Sequence, residues 1–202
     1  ALWAREEEVV EGINKKRHNP FFVSHLQLDP SLIAVPSIDT ALENADFALT
    51  SIPSGFIKET LNPYGKKLAK LKGIINVAKG FERGTGKRIS QLLCDIIGAE
   101  PESQRDIVAS LSGPNLADEV AMKKLGASVV ATHNEELAEI FQQSFSNSYF
   151  RIYRQTDRTG VELGGTLKNI FAIGAGIVDG LELGDNAKAA YLTRSLHELV
   201  RL

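Results

Sequence analysis

The 202-residue chain is 43% hydrophobic and 24% charged, the balance of a sequence that folds around a buried core, which excludes an intrinsically disordered chain. A formal net charge of −2 gives no global positive field for nucleic acid or anionic lipid, although a local patch can still hold a small phosphate. The single cysteine, Cys94, has no partner for an internal disulfide, and His18, His25, His133 and His197 show no metal-ligand spacing, so no metal site is expected.

In chain order, residues 1–4 read as the finish of a strand and 6–16 as a helix. Strands then follow at 33–35, 47–52, 74–78, 107–111, 127–132 and 150–153, with helices between them at 40–44, 56–61, 88–97, 116–124 and 135–145. Asn134 is placed to cap the last of these helices, with Glu135 and Glu136 at the positive end of its dipole. Short β-rich runs alternating with helices predict an α/β fold with a largely parallel sheet. Cys94, within Q-L-L-C-D-I-I, reads as a small buried hydrophobe of the 88–97 helix.

After Tyr153 the pattern changes. A polar stretch at 155–160 leads into a long apolar helix at 161–178, a Gly/Asp-rich break at 179–185 and a second helix at 186–202, which carries Ala190, Thr193, Leu196, His197 and Val200 near one face. Strands stop and helices take over, which puts a domain boundary near residue 157, with residues 1–156 on one side and the start of an all-α domain, 157–202, on the other. The most apolar window, 163–178, contains Lys168 and Asn169 and is bounded by Glu162 and Asp179; it is too short and too polar for a membrane span and reads as a buried helix. Arg5, Glu6, Glu7 and Glu8 stand where a secretory signal needs apolar residues, so a cytoplasmic location is expected. The first residues read as a strand with nothing before it, and the last helix lacks a Gly or Pro stop signal, so both ends are expected to be cut.

Parallel sheets place ligands at the carboxyl ends of their strands. There the sequence offers Pro53-Ser54-Gly55, a turn able to bring backbone amides to a cofactor. It also offers Lys79-Gly80-Phe81-Glu82, with a cation suited to an anionic substrate, and Ser112-Gly113-Pro114-Asn115-Leu116-Ala117, in which Asn115 is placed to cap a helix. Each has a plainer reading, as an ordinary turn, a solvated lysine or a structural cap. Lys168 is the sharpest local feature. One helical turn away lie Gly164, Gly165, Phe171 and Ala172, so the ammonium is expected beside small and apolar groups, where desolvation lowers its pKa toward a range useful for proton transfer. The alternatives are a lysine that snorkels to solvent or a structural ion pair. Arg5, after the first strand, stands where a dinucleotide fold meets the adenosine ribose, or is simply solvated.

Together, L-W-A-R (2–5), the I-P-S turn (52–54), A-K-G-F-E (78–82), S-G-P-N-L-A-D-E (112–119) and G-V-E-L-G-G-T-L-K-N-I-F-A-I-G-A-G (160–176) resemble the NAD(P)-dependent glycerol-3-phosphate dehydrogenases over essentially the whole chain. The resemblance implies a partial Rossmann-like, dinucleotide-binding domain at 1–156 and hydride transfer between NADH or NADPH and dihydroxyacetone phosphate, giving sn-glycerol 3-phosphate. Lys168 matches the family's catalytic lysine, the general acid/base. Lys79 matches the lysine that holds substrate near the nicotinamide, and Gly113, Asn115 and Asn169 match substrate-contacting positions. The family often has Thr or Ser where this chain has Asn115. Arg5, Pro53, Ser54 and Ala117 fall with Lys79 on the cofactor side. The partner implied is a small phosphorylated triose or polyol, and a homodimer is compatible with it. The family's G-x-G-x-x-G/A loop is expected before Ala1 and its N-R-R-like segment after Leu202, so the chain alone is expected to bind cofactor poorly. The rivals are another Rossmann-plus-helical dehydrogenase, of the hydroxyacid or 6-phosphogluconate type, against which S-G-P-N and A-K-G-F-E argue, and a non-catalytic binding or oligomerisation module.

Overall fold

A computed structural model describes residues 1–101 and 106–201. Its centre is a five-stranded sheet in the order β3-β4-β5-β6-β7, formed by β3 (Phe47–Thr50), β4 (Gly73–Asn76), β5 (Val108–Ser112), β6 (Gly126–Ala131) and β7 (Phe150–Gln155). β4 is buried along its length and alternates cleanly. Ile74 points into a core built by α2 (Ile38–Leu42), α3 (Ile57–Leu61), α4 (Gly65–Leu68) and α5 (Ile89–Ile97), while Ile75 points to the opposite face, where Leu137 and Phe141 of α7 (Glu135–Phe145) pack. Helices thus cover both faces of a mostly parallel sheet, the layered α/β architecture read from the sequence.

The pairing departs from uniform parallelism at one place: β5 and β6 are antiparallel, with Ser110 opposite Ala131 and Ser112 opposite Val129. The reversal brings the start of β6 alongside the carboxyl end of β5. The first two strands, β1 (Leu2–Trp3) and β2 (Ala34–Val35), form a separate two-stranded parallel sheet, packed by α1 (Glu7–Glu11) and the π-helical segment Gly12–Lys16 through Val9 and Ile13.

Every strand expected from sequence is present to within about two residues. Helix ends follow local chemistry. Asn134 caps α7 by accepting from the Leu137 amide at 3.1 Å, and Gly98, at φ 68°, ends α5. The helix expected at 40–44 instead begins at Ile38, because Ser37 accepts from the Asp39 amide. The helix expected at 116–124 contracts to α6, Ala117–Ala121, and α4 and the single turns at Ser54–Phe56 and Asn62–Tyr64 are too short to leave a periodic signal.

Two long helices close the described chain, α8 (Arg158–Gly180) and α9 (Asp185–Arg201); Leu202, expected as the end of the second, lies outside the described residues. The expectation that the apolar helix is buried is corrected. Only Arg158 and Gly165 of α8 are buried, and Ile170, Ile173 and Ile177 are 61%, 67% and 58% exposed. The cause is that α8 docks on the sheet through its small and polar residues and leaves its apolar side to solvent and α9. By length and composition alone α8 would suffice to cross a membrane, but its first half carries charged groups paired with Asp106, ahead of β5, and with Arg88, at the start of α5.

Candidate active site

The site is built by the way α8 lies against the carboxyl ends of β4 and β5. Asp157 caps the helix, accepting from the Gly160 amide at 2.8 Å. Arg158 then enters the protein completely: its guanidinium pairs with Asp106 at 2.6 Å, both side chains fully buried, and donates to the Val108 carbonyl at 2.5 Å. One turn later Glu162 accepts from Arg88 Nη1 at 2.9 Å, from the Ser90 amide at 3.0 Å and from Ser90 Oγ at 2.6 Å. Gly165 abuts Ser112, so that a Cβ there would strike the Ser112 hydroxyl. Thr166 Oγ1 accepts the Gly80 amide at 3.0 Å. Arg158, Glu162, Gly165 and Thr166 recur at helical spacing on the docked face.

The register of α8 delivers Lys168 to the turn after β5, where its Nζ donates to the Gly113 carbonyl at 3.2 Å. Lys79, from the turn after β4, reaches the same oxygen at 3.5 Å. Lys79 is held below the ordinary lysine value, first because part of its side chain is desolvated and then because Lys168 sits beside it. Lys168 is half-buried, with its amine against a backbone carbonyl. Two cations around one carbonyl make a local positive centre on a chain of net charge −2, suited to an anionic group.

Gly113 is required for close approach: a Cβ there would lie 2.9 Å from the Ala127 carbonyl and collide with Ser128 Oγ at the start of β6. Asn115 is not the helix cap expected of it. The residue before α6 is Leu116, which makes no side-chain cap bond, and Asn115 Oδ1 instead accepts from Ser128 Oγ, tying the turn to β6. Pro53 and Ser54 open a single helical turn after β3. Ser54 lies against Gly80, whose φ of +121° and whose Cβ position, 2.8 Å from Ser54 Oγ, both require glycine. The turns after β3, β4 and β5 therefore sit side by side. Asn169 is exposed beside Lys168, and Ala117 is exposed at the first position of α6. Arg5 stands past the end of β1 in the two-stranded sheet, its guanidinium paired with Glu6 at 3.0 Å.

Sequence reading missed Arg88, Ser90, Asp106, Arg158, Glu162 and Thr166. The polar residues at 158, 162 and 166, four apart along one side of the helix, were the available signal. Between Lys79, Thr166, Glu162, Asn76 and Ser110 lies a small cavity of about 10 Å³, room for one water, lined by the buried Ser110 hydroxyl, which has no partner among the described residues.

Thr50 and Ser110, near the carboxyl ends of β3 and β5, carry buried hydroxyls without partners among the described residues, and the turn at Gly80 presents backbone without a Cβ.

Residues 1–138 match the family model described as NAD-dependent glycerol-3-phosphate dehydrogenase N-terminus, and residues 157–202 match the corresponding C-terminus. Among curated relatives, the chain is similar to glycerol-3-phosphate dehydrogenase [NAD(P)+] of Syntrophomonas wolfei, with 39% identity over 201 residues, and to that of Bacillus thuringiensis, with 41%. All of this chain is covered in both, but only 58% of either relative. Among solved structures, glycerol-3-phosphate dehydrogenase of Coxiella burnetii superposes with a TM-score of 0.87 at 30% identity, covering 99% of this chain and 59% of the other. That of Plasmodium falciparum gives 0.89 at 27%, covering 98% and 55%. The chain spans somewhat more than half the length of the relatives it matches, and it belongs to the NAD(P)-dependent glycerol-3-phosphate dehydrogenase family.

Proposed function

We propose that the protein carrying this chain interconverts dihydroxyacetone phosphate and sn-glycerol 3-phosphate, with Lys168 as general acid/base. The observation that supports this reading best is the convergence of Lys168 and Lys79 on the Gly113 carbonyl, beside the turns where a parallel sheet receives its ligands. NADH or NADPH, when bound, supplies the hydride for the substrate carbonyl carbon. Lys168 donates its proton to the carbonyl oxygen as the C=O bond becomes C–O–H, and in the reverse direction its neutral amine takes that proton back. Lys79, a second cation on the same carbonyl, orients the anionic substrate beside Lys168. Gly113 fixes the acceptor oxygen that holds both amines, Asn115 braces its turn through Ser128, and exposed Asn169 lies where a substrate hydroxyl or phosphate is reached.

On the cofactor side we assign Pro53, Ser54, Lys79 and Ala117, and Arg5 for the adenosine end. The domain division is proposed near residue 157, where the last strand gives way to α8. A soluble, cytoplasmic enzyme follows from this reading, with the apolar side of α8 serving contacts between helices.

The test is oxidation of NADH or NADPH dependent on dihydroxyacetone phosphate. Lys168→Ala is expected to lower kcat by at least about 100-fold, the scale of a lost general acid/base. A near-normal rate would remove Lys168 from the chemistry, and absence of turnover with either cofactor in the full protein that carries this chain would sink the reading.

A further inference from the structure

α8 grips both ends of the segment that follows β4. At one end Thr166 Oγ1 accepts the Gly80 amide at 3.0 Å. At the other, Glu162 holds Arg88 and Ser90 through three hydrogen bonds of 2.6 to 3.0 Å. Between these ends the segment folds back on itself, with the Glu82 amide donating to the Lys87 carbonyl at 2.9 Å and Phe81 bridging to Arg88. Glu162 and Thr166 are four residues apart, so they project from one side of the helix about 6 Å apart along its axis. On its other flank α8 meets the turn after β5, through Gly165 at Ser112 and Lys168 at Gly113. The helix is therefore wedged between the turn that carries Lys79 and the carbonyl that Lys79 and Lys168 share.

The weak link in this arrangement is Gly80. Its φ of +121° is available because glycine has no side chain, and glycine also gives the chain the greatest freedom to leave that conformation. Ser54 presses on it from one side, a contact that limits where Gly80 can go without holding it. Directional restraint comes from the hydroxyl of Thr166, 86 residues away in sequence. Thr166 is uncharged, and the bond it accepts from the Gly80 amide is structural: it holds the turn after β4 against α8.

We propose that Thr166 is a positioning residue: by accepting the Gly80 amide it ties the turn bearing Lys79 to the helix bearing Lys168, and so sets how the two amines meet at the Gly113 carbonyl. The consequence for catalysis rests on the dehydrogenase reading above, whereas the positioning itself does not. Loss of the tie lets the Lys79 turn swing toward solvent. Its side chain then regains hydration and moves away from the Lys168 charge, and both changes raise its titration toward the ordinary lysine range.

The variants are Thr166→Val, which keeps the shape and the helix propensity but removes the acceptor, and Thr166→Ser, which keeps the acceptor. Trace acetylation by acetic anhydride over about pH 7 to 11, read residue by residue by mass spectrometry, reports the neutral fraction of each lysine without needing turnover. In Thr166→Val the Lys79 midpoint is expected to rise and its labelling near pH 8 to fall at least about twofold, while Thr166→Ser follows the parent. Circular dichroism on the same samples is expected to show unchanged helix content. A Lys79 profile in Thr166→Val identical to the parent, or a Thr166→Ser profile displaced as far as that of Thr166→Val, overturns the proposal. In the NAD(P)H assay, Thr166→Val is expected to lower kcat/KM by about 3- to 10-fold, the scale of one hydrogen bond, with Thr166→Ser within about twofold of the parent. Absence of turnover in the full protein that carries this chain would defeat the dehydrogenase reading while the labelling result still decides the role of Thr166.

Discussion

Lys79 and Lys168 each looked separately interesting as residues, but their chemistry is a property of the pair. The Lys79 amine is held low by partial burial first and by the Lys168 charge second. Replacing Lys168 with Met removes the second cause and leaves the first, so Lys79 is expected to titrate higher in Lys168→Met than in the parent, while staying below a fully solvated lysine. Acetylation profiles measure it directly; an unchanged Lys79 midpoint would mean that the two amines do not share the site. The same shift has a linkage sign. A lysine whose folded value is depressed is bound to a proton more often in the unfolded chain, over the window between its folded value and 10.5, so it adds stability as pH rises through that window. Lys168→Met is expected to make that alkaline gain shallower, as followed by denaturant midpoints.

For the helices, α8 is held by specific polar anchors far more than by its apolar side. Its first residue, Arg158, is fully buried in a pair with Asp106, which also accepts the Val108 amide at 2.8 Å. Removing one member of such a pair leaves a buried charge uncompensated, at a cost of about 3 to 5 kcal/mol. Arg158→Met is therefore expected to lower the denaturant midpoint substantially, since it strands the Asp106 carboxylate at the root of β5. A change below about 1 kcal/mol would show that the pair contributes little to docking α8. The polar residues of α8 were visible in the sequence, but the apolar content of the 163–178 window led to the expectation of a buried helix. Hydrophobicity reports a preference for leaving water, and it does not say which face of a helix a neighbouring sheet will take.

Across the whole molecule, the sheet separates two apolar cores, one with α2 to α5 and one with α7. Cys94 lies in the first of them, fully buried, with its thiol pushed up to about 12, mainly by burial and then by the Asp106 charge. A thiol so placed is expected to be inert to a disulfide reagent at neutral pH in the folded chain and to react once the chain is unfolded. Rapid reaction of the native protein would contradict the packing of α5. The sequence by itself determined the strands, most of the helices, the buried cysteine and the two lysines worth watching, because alternation, helical spacing and caps are set by neighbours a few residues apart. Only the tertiary structure decided that Lys79 and Lys168 share the Gly113 carbonyl across 34 and 55 residues and that Lys79 carries the lowered value. It also decided that Asn115 braces β6 instead of capping α6, and that α8 turns its polar face to the sheet. Each of these depends on the β5–β6 reversal and on the register with which α8 docks, and no local pattern encodes a distance between residues so far apart in the chain.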